Sequence, residues 1–144
     1  MKFSVLMSLY DKENPEFLAE CLASLVNQTR QADEIVLVFD GPINLVLQKV
    51  VQEFKPQLPL TIIALTKNVG LGQALNAGLN ACQHDWVIRM DTDDICVPNR
   101  FEQQINFIQN HPEIDVLGGQ IIEFEKQLSQ GKKSRTVPTS HEAI

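Results

Sequence analysis

A chain of 144 residues with 44% hydrophobic and 21% charged side chains has the make-up of one soluble globular domain, long enough to bury a core without disulfide or metal staples. Twelve Lys and Arg against eighteen Asp and Glu leave a net charge of −6, which excludes the basic footprint of a nucleic-acid binder but not a nucleotide, whose phosphates can be met by a metal or by backbone N–H groups. No apolar run approaches the roughly 18 residues that span a bilayer, and Asp11, Lys12 and Glu13 follow the opening apolar run with no small-residue cleavage site, unlike a signal peptide.

The first element is "FSVLMSL", residues 3 to 9, too short for a helix and read as a buried strand. "NPEFLAECLASLVNQT" follows as a helix. Asn14 is its N-cap, Pro15 holds the first helical position and Glu16 favours the positive end of the helix dipole. Phe17, Leu18, Cys21, Leu22, Leu25 and Val26 fall on one apolar stripe. "EIVLVFD", 34 to 40, is the second strand, stopped by Gly41-Pro42. A helix over roughly 43 to 54 turns Leu47, Val50, Val51 and Phe54 inward and ends before Pro56 and Pro59. "LTIIAL", 60 to 65, is the third strand. "GLGQALNAGLNAC" starts a helix near Gly70, with Leu71, Ala74, Leu75, Gly78 and Cys82 on one side. "WVIRMD" is the fourth strand. A last helix runs from about Pro98, with Phe101, Ile105 and Ile108 facing in, to His111-Pro112. "IDVLGGQIIEFE" reads as a fifth strand or a pair of strands, with a bulge or bend at Gly118-Gly119. His84 and His111 read as turn residues at helix ends, and His141 lies in the tail. Cys21, Cys82 and Cys96 show neither C-x-x-C nor zinc spacing. The first two read as small core hydrophobes, and unpaired thiols point to a reduced, cytoplasmic setting.

Short apolar runs alternating with helices predict an α/β fold, a doubly wound, mainly parallel sheet with helices on both faces and right-handed crossovers. Ligands of such sheets bind beyond the carboxyl ends of the strands. That edge carries Ser8 to Glu13, Asp40-Gly41, Thr66 to Gly72 and Asp91 to Asp94, and three of these four segments contain a carboxylate. The domain is expected over 1–125; residues 126–144 are polar and rich in Lys and Ser, a tail or the start of a further region. Its basic run Lys132, Lys133 and Arg135 reads first as a solvated loop, second as an approach to an acceptor or an anionic lipid surface.

The densest chemistry is "DWVIRMDTDDICVP", where Asp91, Asp93 and Asp94 sit within four positions. Like charges this close repel. Asp91 and Asp93, two apart at an extended strand end, point the same way with Cα atoms about 6.5 Å apart. Oxygen-only ligands there suit Mg²⁺ or Mn²⁺, which one or two carboxylates hold together with phosphate oxygens; such an ion offsets charge on a leaving diphosphate. The rival reading makes these residues caps and turn formers ahead of Pro98, and Asp94 alone fits a cap or a supporting role.

Five segments together resemble the nucleotide-binding half of the family 2 glycosyltransferases, which have the Rossmann-like GT-A fold. They are "SVLMSLYDKE", "SLVNQT", "LVFDGP", "NVGLGQALNAGL" and "DTDDICVPNR", in the family's order and spacing over residues 3 to about 125. The resemblance implies roles. Ser8 and Tyr10 border the nucleotide base, Glu13 lies near base or ribose, and Asp40 accepts from a uracil-type N–H, although a turn-forming Asp before Gly41 is a fair rival. Asn68 and Gly70 shape the loop beside the nucleotide, or form a simple strand-to-helix turn. Asn76 braces the site, Asp91 contacts ribose, sugar or metal, and Asp93 ligates the metal. Arg100 either pairs with a carboxylate of the cluster or faces solvent. The pattern departs from the family at Phe39, Pro42 and Leu75, where the family has Asp, Ser and Arg.

The implied activity is inverting transfer of a sugar from a nucleotide-diphosphate donor, a UDP-sugar first, to a glycan or lipid-linked acceptor, in cell-surface polysaccharide or lipopolysaccharide synthesis. The implied cofactor is Mn²⁺ or Mg²⁺, and the setting is cytoplasmic, peripheral at the inner membrane face. The family's general base belongs to the acceptor-binding half, which has no counterpart here, so the catalytic base is expected outside these residues. Two other classes compete: a nucleotide-binding module without transferase activity, and a phosphoacceptor signalling domain, which requires an Asp after the third strand where Leu65-Thr66 stands. A phosphatase-type nucleophile at Asp91 requires its motif on the first strand, not the fourth.

Overall fold

Strand β1 (Phe3–Leu9) and strand β2 (Glu34–Phe39) are buried along almost their whole length, as strands covered on both faces must be. The computed structural model describes residues 1–125 and 133–135. The remaining elements are α1 (Pro15–Val26), α2 (Leu45–Phe54), β3 (Leu60–Ala64), α3 (Leu71–Ala81), β4 (Trp86–Arg89), α4 (Arg100–Asn110), β5 (Ile121–Glu123) and β6 (Lys133–Arg135). The chain divides into two units, Met1–Asn106 and Phe107–Ile144.

In the first unit four strands form one sheet in the order β3-β2-β1-β4, every pairing parallel. The chain lays β2 and β3 on one side of β1 and then crosses to β4 on the other. That reversal opens a crevice at the carboxyl end of β1.

Alternation along β1 sorts its side chains into two cores. Phe3, Val5, Met7 and Leu9 pack with α1, with Leu47 and Val51 of α2 and with Phe101 and Ile105 of α4; Leu6, Val36 and Val38 meet Ala74 of α3 on the other face. Helices therefore cover both faces, as expected. Each fully buried side chain such as Leu22 or Phe3 contributes about 1.5–3 kcal/mol through removal from water. Punctuation follows the sequence at α1, where the Asn14 side chain accepts from Glu16 N–H at 2.8 Å and Phe17 N–H at 3.4 Å.

Four local expectations change. The expected fifth strand does not join the parallel sheet: β5 pairs antiparallel with β6 in a separate two-stranded sheet, and Gly118-Gly119 precede it. The three strand positions, Ile121, Ile122 and Glu123, are all exposed, unlike a strand buried on both faces. Helix α4 starts at Arg100, because the Pro98 carbonyl is taken by Thr29 N–H at 2.8 Å. Helix α3 ends earlier than expected: Cys82 is its extended C-cap, still packed against the cluster of Leu6, Val36, Val38 and Ala74, and His84 lies in the bend before β4. Leu71 opens α3 with its side chain exposed and not in the stripe. Of the expected polar tail, Lys132 and His141 lie outside the described residues, and 133–135 form β6.

Candidate functional site

Each strand of the sheet delivers a loop to the same edge. Ser8 sits near the end of β1, and Tyr10 and Glu13 follow it. The Glu13 carboxylate accepts from Asn14 N–H at 2.9 Å and from the Thr92 hydroxyl at 2.5 Å, tying the loop after β1 to the one after β4. Asp11 receives the Asn44 N–H at 2.7 Å, and Asn44 in turn caps α2 through Leu47 N–H.

Beyond β2 the backbone turns sharply. Asp40 N–H donates to the Leu9 carbonyl, and Gly41 takes φ +90°. A Cβ on Gly41 would stand 2.6 Å from the Asn68 backbone nitrogen, so both conformation and space require glycine. Asp40 is buried, and its Oδ1 accepts from Val69 N–H at 2.7 Å while the Asn68 amide donates to its carbonyl at 3.2 Å. One oxygen of the carboxylate thus pins the loop that leads to α3. That loop ends at Gly70, φ +87°, the N-cap of α3, where no side chain caps the helix. First-turn N–H groups left without a capping side chain suit an anion.

The β4 edge holds the carboxylates. Arg89 and Asp91, on one side of the extended chain, form an ion pair at 2.8 Å, each about half exposed. The Asp91 carbonyl accepts from the Cys21 thiol at 3.4 Å and from Asp94 N–H at 3.4 Å. Burial, then the charges of Asp93 and Asp91, pushes the Asp94 carboxyl above its ordinary range, and Arg100 and Arg89 pull it back in part. Burial and the nearby carboxylates push the Cys21 thiol far up, so it stays a neutral donor. Arg100 makes no ion pair with the cluster among the described residues; it donates to the Arg89 carbonyl and to Gln104 and lies over the Phe101 ring. Asn76, expected to brace the site, is exposed on α3; the inward face of that helix is set by Ala74 and Gly78, and a residue two positions on points away.

Ser8, Tyr10, Glu13, Asp40, Asn68, Gly70, Asp91 and Asp93 all line one cavity of about 450 Å³, together with Leu71 and Thr92. A second hollow of about 510 Å³ shares Tyr10, Asp40 and Asn68 and adds Asp11, Lys12 and Pro42. Both lie in the range of small-molecule sites. Sequence reasoning placed Leu71 and Thr92 at this edge without giving either a role, and it missed Arg89. The signal for Arg89 is its place two before Asp91 on a strand, and for Thr92 its place inside the D-x-D; the signal for the open helix end is the lack of Ser, Thr or Asp before α3.

Among the described residues no three His, Cys, Asp or Glu side chains converge to hold a metal ion. An all-protein cage is therefore not what the residues fit. Asp91 and Asp93 both line the cavity, where one or two carboxylates would hold a Mg²⁺ or Mn²⁺ only together with ligand oxygens and water. Among the described residues no helix is long and apolar enough to cross a membrane.

The family described as Glycosyl transferase family 2 matches residues 4–143. The chain is 56% identical over 124 residues to the amylovoran biosynthesis glycosyltransferase AmsE of Erwinia amylovora, covering 86% of this chain and 47% of that protein. It is 43% identical over 124 residues to the UDP-Gal:alpha-D-GlcNAc-diphosphoundecaprenol beta-1,3-galactosyltransferase of Escherichia coli, covering 86% of this chain and 45% of that one. The crystal structure of S. aureus TarS 1-349 in complex with UDP-GlcNAc superposes with a TM-score of 0.70 at 30% identity, over 78% of this chain and 32% of that chain. The chain spans about half the length of the curated relatives it matches.

Proposed function

We infer that this chain, which belongs to glycosyl transferase family 2, is the donor-binding part of an inverting transferase. The donor is a nucleotide-diphosphate sugar, a UDP-sugar first. The acceptor is a hydroxyl of a glycan or a lipid-linked glycan, and the setting is cell-surface polysaccharide or lipopolysaccharide synthesis. One observation carries the reading: the eight residues named from sequence surround a single cavity at the carboxyl ends of the strands. UDP-Gal in the name of the Escherichia coli relative and UDP-GlcNAc in complex with TarS 1-349 support UDP.

On this reading Tyr10, half exposed at the cavity mouth, offers its ring to the base. Asp40 keeps Oδ1 on Val69 N–H and presents its other oxygen to a base N–H. Gly70 and the first turn of α3 give backbone N–H groups to phosphate oxygens. Asp93 and Asp91 hold the cation, Mn²⁺ or Mg²⁺, which when bound offsets charge on the departing diphosphate. Arg89 keeps Asp91 paired before the ligand arrives. The acceptor's proton must pass to a base. By resemblance to the family, that base belongs to the acceptor-binding half, in the part of the relatives that this chain does not span. The work is done in the cytoplasm, with peripheral contact at the inner membrane face where a lipid-linked acceptor is presented.

Calorimetric titration of UDP, with Mn²⁺ and again with chelator, tests this. Binding that requires the metal is the expected result. No binding in either condition, from a folded sample, contradicts the reading.

A further inference from the structure

The segment "SLVNQT" closes α1, yet none of its residues lines the cavity. Its polar side chains have another occupation. Cys21, Ser24 and Gln28 recur at helical spacing on one face of α1 and its C-terminal extension, and all three bond to the backbone between β4 and α4. The Cys21 thiol donates to the Asp91 carbonyl. The Ser24 hydroxyl accepts from Cys96 N–H at 3.0 Å. The Gln28 amide donates to the Val97 carbonyl at 2.8 Å and the Cys96 carbonyl at 3.4 Å, and its oxygen accepts from Phe101 N–H at 3.2 Å, in the first turn of α4.

Residues 91–99 have no helix or strand of their own; beyond a turn closed by Asp94 N–H on the Asp91 carbonyl, the path of the loop is set by partners outside it. Gln28 is only 5% exposed. A buried amide is tolerated when its hydrogen bonds are made, and here they are made to a loop whose other end carries the cavity carboxylates. We propose that Gln28 is a positioning residue: by fastening Cys96, Val97 and the start of α4 to α1, it sets where Asp91 and Asp93 stand at the cavity, and so the strength with which they hold a divalent cation beside a diphosphate. This rests on the donor-binding reading of the cavity.

The test separates two parts of one ligand. Mn²⁺ is titrated against the full chain at saturating UDP, and uridine, which lacks the diphosphate, is titrated by amide NMR shifts. Gln28→Met keeps the length of the side chain and removes its hydrogen bonds. The expected result is a shift of the Mn²⁺ midpoint by about 10–100-fold, the range for groups that orient metal ligands, with uridine affinity held within about twofold of the parent. Val36→Ala, which opens a cavity in the other core cluster, among Leu6, Val38 and Ala74 and with no residue of the loop in it, serves as the control for destabilisation alone and should leave both affinities in place. If Gln28→Met does not fold, Gln28→Glu replaces it; it keeps the acceptor for Phe101 N–H, loses both donors to the loop, and should show the same split. Equal loss of both affinities, or no change in either, overturns the proposal while donor binding stands. A parent chain that binds neither Mn²⁺ nor uridine overturns the donor-binding reading and this proposal with it.

Discussion

Asp40 carries both a structural and a binding assignment, and two substitutions part them. In Asp40→Ala the Val69 N–H, now served at 2.7 Å, loses its acceptor in a part-buried setting; a cost of about 1 kcal/mol is expected in urea denaturation. Asp40→Asn retains an oxygen for Val69 and should cost less than half as much, yet it should still weaken UDP more than it weakens a purine diphosphate. Equal effects on both nucleotides would return Asp40 to a plain turn residue. Among the described residues, Asp93 has no ion pair or hydrogen bond tying it to the fold. Asp93→Ala should therefore leave the melting temperature in place and remove the metal-dependent part of UDP affinity; persistence of that part would contradict its role. Residues at this scale were legible where a side chain's type carries its chemistry, as with Asp40, Asp91 and Asp93. They were not legible where partnership decides: Arg89 and not Arg100 pairs with the cluster, because strand geometry sets neighbours two apart side by side.

Among elements, α3 lies closest to the sheet. A Cβ on Gly78 would stand 2.4 Å from Leu6 Cδ1 and 2.6 Å from Val38 Cγ2. Helix propensity favours Ala over Gly by about 1 kcal/mol, but overpacking costs about 1–3 kcal/mol and should win. Gly78→Ala is expected to lower stability in denaturant titration, and a rise would show that α3 can lift away freely. The four parallel strands and four helices were legible because their ends are written in capping and turn residues, Asn14 and Pro15 at α1 and Gly41-Pro42 after β2 among them. A strand within 114–125 was legible too, but its sheet was not, because a three-residue strand takes its place from its partner, here β6, and not from its own pattern. The start of α4 was misread by two residues because Pro98 is spoken for by Thr29 across the fold, a contact invisible in local sequence.

For the whole molecule, the gathering of four loops at one edge concentrates acid there, and pH should report it. Asp94 has its carboxyl raised in the folded state by burial and by Asp93 and Asp91. The folded state therefore binds the proton more tightly than the unfolded chain, and stability falls as pH rises from the ordinary carboxylate value through the raised one. In chelator-treated samples Asp94→Asn should flatten that descent and leave the protein more stable than the parent at neutral pH; an unchanged slope would contradict the cause assigned. The doubly wound architecture itself was legible from the alternation of apolar runs and helices, and with it the edge at which a ligand must bind.

The most direct measurement is a map of UDP onto the amide spectrum of the 144-residue chain in the presence of Mg²⁺, which spares the signals near the site. The account predicts shifts gathered at Tyr10, Gly41, Asn68, Gly70, Thr92 and Asp93, with Glu34 and Gln83 at the opposite end of the sheet unmoved. Shifts centred on Glu34 and Gln83, or spread with no focus at the strand ends, would contradict it.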